Sequence, residues 1–381
     1  MAPQMPWRLV MQIVVVGYLH KKMDKRVFRT VKAFSRHFKV LYIYWTEDAS
    51  EKSYTEGNIE YLPVYHKLCT NPFKEFVNRY KYEREVLRIV DKLSFDLAYI
   101  HHFATVKPLA IFRLLSRKNV KIITDFHEYV PEEYLFGVEQ IPRSIKMWLG
   151  QKLYRHMIMK SDGTVFVSKK FLEDAKEWKP DLKAFNFPNY GNLKIPPINQ
   201  IKRQKEVIFA GTTERKIENE LKIFEILNSK GFSIVSIGTD IKAPFEIKKL
   251  PFLKYEKMIE RISNAAFSIV SYSCRNKKGN YLNKYVYSMP NKFFDSIAAG
   301  TPVILDKDFL GMRELIENDG IGVVIDRDNP KESAEKITAF WESKVEYEKL
   351  LLNISRKQDH YVWNEKKERE FIDFIMRVID S

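Results

Sequence analysis

The run Ile13-Val14-Val15-Val16-Gly17 decides how the rest of the chain reads. Four β-branched residues closed by a glycine describe a strand buried on both faces, with a tight turn at its end. Outward from it, Val27, Val31, Phe34 and Phe38 recur at helical spacing. Lys25, Arg29, Lys32 and Arg36 recur at the same spacing, two residues away. Two residues rotate a helix by about 200°, so this helix sets a basic face opposite an apolar one. Val40 to Tyr44 reads as a second strand. The alternation continues. Asn71-Pro72 signals a capped helix start, and Phe73, Phe76, Val77 and Tyr80 form a stripe behind it. Strands then read at 97–100, 120–124 and 164–167, with helices at 108–117 and 144–159. On the last, Ile145, Trp148, Leu149 and Leu153 share a side. Such alternation implies a parallel sheet covered on both faces.

Pro188, Gly191, Pro196 and Pro197, followed by polar and basic residues, interrupt the pattern and read as a linker over 191–205. Val207-Ile208-Phe209-Ala210-Gly211 then repeats the opening theme, and strands and helices alternate again to the strand 322–325. The expected fold is α/β, with two Rossmann-like doubly wound domains facing a central cleft: residues 1–190, then 206–355. Ligands of such sheets bind beyond the carboxyl ends of the strands.

Composition narrows the function. The chain has 381 residues, a formal charge of +15 and two cysteines. Cys69 and Cys274 are too few for a disulfide framework or a four-ligand metal site, and a reducing, cytoplasmic setting is expected. The charge is lopsided: residues 1–190 hold 32 Lys and Arg against 21 Asp and Glu. That excess admits nucleic acid, a phosphorylated substrate or an anionic membrane as partner, beside a merely solvated surface. The apolar stretch Leu9–Leu19 spans 11 residues, short of the roughly 20 a membrane helix needs. His20-Lys21-Lys22 follows it in place of a signal-peptide cleavage site.

The stretch from Ser288 to Ile304, SMPNKFFDSIAAGTPVI, carries the most chemistry. Asn291 can cap a helix whose N-terminus favours anions, and Lys292 adds a full positive charge. Asp295 lies one turn on, where a carboxylate can take both hydroxyls of a ribose. Each feature alone also fits an ordinary capped helix.

Together these residues resemble the nucleotide-sugar-binding helix of the GT-B glycosyltransferases, in particular the retaining family four, with its P-N-K-x-x-E-x-x-x-A-G-x-P-V-I pattern. Other segments are similar in the same order: DLAYIHHF at 96–103, KIITDFHEYVPE at 121–132, SDGTVFVSKKFLEDA at 161–175, FPNYGN at 187–192, EVIFAGTTERKIENEL at 206–221 and YVWNEK at 361–366. The resemblance implies transfer of a sugar from a nucleotide-diphosphate donor to a glycan or lipid-linked acceptor, with retention, in envelope polysaccharide or lipopolysaccharide assembly. It also implies that residues 356–381 return to the first domain.

The resemblance implies roles for residues. Arg215 and Lys216 would clamp the diphosphate, with Gly211, Thr212 and Gly238 around it, and Gly17 would admit the diphosphate from the first domain. Asn291, Lys292 and Asp295 complete the donor set, and Glu220 orients the base or caps a helix. His101 matches a histidine near the anomeric centre, and His102 stands where aspartate is frequent. His127 and Glu128 would serve the sugar or acceptor, while Asp125 reads as structural. Charge development on a leaving diphosphate can be met by cations and a helix N-terminus alone. With no D-x-D motif, neither metal nor other cofactor is expected. Two departures stand out: Tyr287 holds the place of a common first glutamate, and Asp295 is one methylene shorter than the second.

The loop from Arg275 to Lys284 is expected to close over the donor. The Lys25/Arg29/Lys32/Arg36 face, with Arg143, Lys146, Lys152, Arg155 and Lys160, is expected to meet the acceptor or an anionic membrane surface. Other readings are a nucleotide-sugar epimerase or phosphorylase of the same fold, an inactive sugar-nucleotide scaffold, and a nucleic-acid-binding protein. The last lacks any recognition motif, and no nucleic-acid partner is expected.

Overall fold

A computed structural model describes residues 11–101, 106–135, 141–211, 218–272, 274–275 and 279–381, apart from the side chains of Pro72, Glu218 and Asn219. The chain divides into two compact units. One holds the described residues up to Phe187 together with Lys366–Ser381, and the other holds Pro188–Glu365.

The first unit runs β1 (Gln12–Lys21), α1 (Lys25–Ser35), β2 (Lys39–Thr46), β3 (Tyr54–Glu56), β4 (Ile59–Tyr65), α2 (Pro72–Lys92), β5 (Leu97–His101), α3 (Ala110–Lys118), β6 (Lys121–Phe126), α4 (Val130–Glu133), α5 (Arg143–Lys160), β7 (Gly163–Phe166), α6 (Lys169–Trp178) and β8 (Ala184–Asn186). The sheet order is β3-β4-β2-β1-β5-β6-β7-β8. Every pairing is parallel except the β3–β4 hairpin at the edge. The central strands are apolar throughout because both faces are covered: Ile13 to Val16 expose nothing.

Gly17 does not end its strand. β1 continues to Lys21 through an irregularity, and the left-handed residue is Tyr18 (φ 45°). A side chain at Gly17 would press on the Ile43 carbonyl at 3.1 Å and on Val27 at 3.6 Å, so this glycine serves packing between β1, β2 and α1.

Two helices turn their expected faces around. Asn71 caps α2 as its sequence signals, accepting from the Phe73 and Lys74 amides. Yet α2 buries Tyr82, Glu83, Val86 and Val90, and the Phe73, Phe76 and Tyr80 stripe faces water. On α5, Leu153, Tyr154, Met157 and Ile158 face the core, while Ile145 and Trp148 are exposed.

The second unit runs β9 (Gln204–Ala210), α7 (Glu218–Ser229), β10 (Ser233–Ile237), β11 (Ile247–Leu250), α8 (Tyr255–Ser263), β12 (Ala265–Val270), α9 (Asn283–Val286), α10 (Asn291–Ala298), β13 (Val303–Asp306), α11 (Leu310–Asp319), β14 (Gly322–Ile325), α12 (Pro330–Glu342) and α13 (Lys344–Lys357). Its sheet is fully parallel, in the order β11-β10-β9-β12-β13-β14. The final helix, α14 (Glu365–Ile379), packs in the first unit. Its Phe371 stacks on Phe34 and Phe187 with ring centroids 5.5 and 4.8 Å apart.

Residues 191–205 are built into the second unit rather than strung outside it. The Ile195 amide donates to Ala298, and the Gln358 amide group donates to Ile195, Ile297 and Ala298. Arg203 is buried and donates to the carbonyls of Ile198, Ser263, Ala265 and Gly300, at 2.6–3.1 Å. One side chain therefore ties the entry of β9 to α8, β12 and the end of α10. Removing it leaves several buried carbonyls without a donor. Arg203→Ala is expected to cost the second unit about 3 kcal/mol, read from chemical denaturation. Lys205→Ala, which loses one exposed hydrogen bond to Lys230, should cost far less.

Candidate active site

In the second unit, the carboxyl ends of β9 and β10 meet the start of α10. Gly211 follows β9, and Gly238 follows β10 with a φ of 71° that only glycine adopts readily. A side chain at Gly238 would collide with the Gly211 carbonyl at 2.7 Å. At Gly211 the obstacle would be the Lys292 ammonium and the Thr239 hydroxyl, both 2.9 Å from the added carbon. The glycine thus makes room for Lys292 to reach back from α10 and lie over the Phe209 ring, 4.9 Å from its centroid. The first amides of α10 have no partner within the helix and leave positive charge at the same end. Helix end, lysine and glycine thus meet at the carboxyl edge of the sheet, a combination whose charge suits an anion.

Four expectations change here. Asn291 is the first helical residue, not the cap. Pro290 holds the cap position in extended conformation, and no side chain caps α10. Asp295 is not an open ribose ligand: it is buried and accepts from the Tyr255 hydroxyl at 2.8 Å. Glu220 is held by Arg327 at 3.2 Å, and Arg327 also meets Asp306 at 3.4 Å. Arg275 pairs with Asp308 and Asp328 at 3.2 and 3.6 Å, so its charge is engaged within the unit rather than held for a donor. Thr212, Arg215, Lys216 and His102 lie outside the described residues.

In the first unit the carboxyl edge carries imidazoles. His101 ends β5, Asp125 lies near the end of β6, and His127 follows it. His101 Nδ1 lies 2.9 Å from His127 Nε2 and 3.3 Å from Asp125 Oδ2. The His20 ring sits 4.6 Å from that of His127, and its Nδ1 lies 3.3 Å from the Asp24 carboxylate. Asp24 in turn caps α1 by accepting from the Arg26 and Val27 amides.

Beneath this chain lies a buried ion pair. Arg26 donates to both oxygens of Asp125, with its shortest contact at 2.6 Å, and also to the Phe187 carbonyl. Tyr99 donates to Asp125 at 2.9 Å. Burial alone would raise the Asp125 pKa. Arg26, with the imidazoles, outweighs it and holds the carboxyl far below the ordinary range. Burial pulls His101 down and His127 well down, so both are neutral near pH 7.

Sequence reading missed Arg26 and His20 and left Asp125 as scaffolding. One signal was present: Arg26 lies beside Val27 and Thr30 on the face of α1 that enters the core, where a guanidinium needs an acid. His101 exposes nothing, whereas the His127 side chain is 14% exposed. His127 is therefore the ring that can meet a ligand, and His101 stands behind it. Glu128 is exposed beside His127. His101, Asp125 and His127 bring ligand atoms within 4.8 Å of one another, near enough for a metal ion. Arg26 already neutralises that carboxylate and would repel a cation, so the cluster reads better as a hydrogen-bonded chain.

The α1 basic face is also revised. Arg29 is buried, with its guanidinium 5.8 Å from the Phe187 ring centroid, and Arg36 pairs with Glu368 of α14. Lys25 and Lys32 are half-buried.

With this geometry in place, the chain can be compared with known proteins. The model of Glycosyltransferase Family 4 matches residues 23–183, most of the first unit. Sucrose-phosphate synthase from Thermosynechococcus elongatus is similar in structure with a TM-score of 0.72 at 10% identity, covering 97% of this chain and 99% of that one. Anabaena HepE in complex with UDP and glucose gives a TM-score of 0.65 at 10% identity, covering 96% and 100%. A glycosyltransferase from Rickettsia africae gives 0.60 at 14% identity, covering 97% and 98%. No curated protein matches the chain. This chain has the GT-B fold of glycosyltransferases.

Two outcomes are expected of this protein. The neutral imidazoles of His101 and His127 stabilise the fold fully above their ordinary pKa of 6.5. That contribution is lost as pH falls further, because the unfolded chain then binds protons the folded one refuses. The melting temperature should therefore drop between about pH 6.5 and pH 5. A His101→Asn, His127→Gln double variant should show a shallower slope there; an unchanged slope would mean the rings are charged. Separately, Gly211→Ala displaces the flexible end of Lys292 and presses on the Thr239 hydroxyl. It should lower affinity for a nucleoside diphosphate about tenfold with little change in melting temperature, as titration calorimetry and thermal melts would show.

Proposed function

We propose that this protein is a glycosyltransferase that takes a sugar from a nucleoside-diphosphate donor and passes it, with retention, to a glycan or lipid-linked acceptor in envelope polysaccharide assembly. The observation that carries the reading is the convergence of Lys292, Gly211 and the start of α10 on one point at the sheet's carboxyl edge. A diphosphate is the ligand such a point suits. It is multiply charged, it suits backbone amides and an ammonium, and its charge grows as the anomeric bond breaks. Fixed dipoles and Lys292 meet that growing charge without reorganising.

His127 is the first unit's candidate for contact with the sugar or acceptor. Neutral and backed by His101, it can accept a hydrogen bond from a hydroxyl or donate one. Glu128 is the neighbouring carboxylate for acceptor activation. Retention and the envelope role rest on the family resemblance. The uridine base is favoured because Anabaena HepE forms complexes with UDP and with UDP-glucose.

The test is thermal shift against UDP, GDP, ADP and CMP and their sugars, followed by turnover. A ligand at a hundred times its dissociation constant should add about 2.7 kcal/mol of stability. Nucleoside diphosphate should then be released only when acceptor is present. If no nucleotide stabilises the protein, the donor site is wrong. If donor is consumed without acceptor, an epimerase or hydrolase of the same fold is the better reading.

A further inference from the structure

The face of the first unit formed by α2, α3 and α5 has no part in the transfer chemistry. α3 lies between the other two. One groove beside it is lined by Arg84 and Leu87 of α2 with Ala110, Arg113 and Leu114 of α3. A second is lined by Phe112, Arg113 and Arg117 of α3 with His156 and Lys160 of α5. With neighbouring helices about 10 Å apart, this face is roughly 20 Å across.

Its chemistry is sorted along the helices. Phe73, Phe76 and Tyr80 follow one another at helical spacing on α2 and are 76%, 55% and 41% exposed. The same line continues into Arg84 and Arg88. On α5, Ile145 and Trp148 are 48% and 53% exposed, and Lys152 holds its ammonium 3.8 Å above the Trp148 ring. Arg84, Arg113, Arg117 and Lys160 are exposed and make no ion pair among the described residues. Arg88 does pair, with Glu85, and Asp91 lines the first groove. Burial, Lys160 and Arg113 all lower the His156 pKa, and no acid opposes them.

We propose that the α2–α3–α5 face docks on an anionic lipid bilayer, with Phe73, Phe76 and Trp148 entering the interface and Arg84, Arg113, Arg117 and Lys160 resting on the headgroups. Charge complementarity selects an anionic partner. The apolar residues select among anionic partners. A soluble polyanion would satisfy the cations and leave three large rings in water, whereas a bilayer interface takes aromatic rings and cations side by side. Of the basic residues the sequence suggested, this face keeps Lys152 and Lys160 of α5 and leaves out the α1 stripe, where Arg29 is buried and Arg36 paired. Helices α2 and α5 begin at the carboxyl edge of the sheet, so the aromatic end of the face lies on the side of His101 and His127. That would bring a lipid-linked acceptor to that edge, a corollary that rests on the transfer reading; the docking does not.

The experiment is flotation of the full chain with vesicles of phosphatidylcholine and phosphatidylglycerol, against phosphatidylcholine alone. Binding is expected only to the anionic vesicles, weakening with salt. Each charge reversal in an Arg84→Glu, Arg113→Glu, Arg117→Glu variant should weaken partitioning about fivefold. A Phe73→Ser, Phe76→Ser, Trp148→Ser variant should also lose binding while keeping the wild-type melting temperature. The control is Lys331→Glu, Lys344→Glu, Lys349→Glu in the second unit, an equal change in net charge that should leave binding intact. The proposal is overturned by absence of flotation, by equal loss in the control, or by capture of soluble polyphosphate without capture of vesicles.

Discussion

Burying a guanidinium against a carboxylate costs several kcal/mol per ion before their attraction is counted. The first unit nevertheless does this with Arg26 and Asp125, directly under its row of imidazoles. The pair holds together elements distant in sequence. Arg26 comes from the first turn of α1, Asp125 from β6, and the accepting carbonyl is that of Phe187, the last residue before the chain leaves the unit. Tyr99 brings in β5. Losing either ion would strand the other, so the arrangement enforces itself once formed. It also sets the electrostatics above it. A carboxylate satisfied by arginine offers His101 a hydrogen-bond partner without drawing a second proton onto the rings.

The second unit solves a parallel problem with one arginine and no carboxylate. Arg203 spends its donors on four carbonyls from three stretches of chain. That is why a segment with the composition of a linker behaves as part of the core. The same unit holds at its sheet edge the cation proposed to meet the diphosphate. Lys292 reaches the end of β9 only because position 211 has no side chain. Buried arginines hold each fold together, and the proposed chemistry falls to groups at the sheet edges: imidazoles in the first unit, an ammonium and a helix end in the second.

The alternation of strands and helices was legible because doubly covered strands leave unbroken apolar runs such as Ile13–Val16 and Val207–Ala210. The α2 start was legible because Asn71-Pro72 is a local signal with a local cause. What failed were judgements of which face is covered, and by what. Phe73, Phe76 and Tyr80 have the spacing of a core stripe, but the covered face of α2 is Tyr82, Glu83, Val86 and Val90. Arg29 belongs to a pattern that looks solvent-facing, yet it is covered near Phe187, more than a hundred residues away. Arg26 and Lys25 are adjacent cations with opposite fates. In each case periodicity identifies a helix, while long-range packing decides which side of it sees water. Asp295 fell to the same limit, since its partner Tyr255 comes from another helix.

The division of charge between the units also bears on how sugar transfer would proceed. Breaking an anomeric bond places negative charge on the leaving diphosphate and positive charge on the ring carbon. The second unit offers Lys292 and the head of α10, which suit the first of these. The first unit offers neutral imidazoles, and the carboxylate beneath them, Asp125, is already matched by Arg26. In the proposed transfer, a charged ring against the sugar would oppose the developing cation, which a neutral imidazole does not. A free carboxylate in place of the Arg26–Asp125 pair would draw protons onto His101 and His127 and undo that advantage. The ion pair therefore serves the proposed chemistry by keeping its neighbours uncharged, which a hydrophobic pair of the same volume would do without supplying the hydrogen-bond partner that His101 needs.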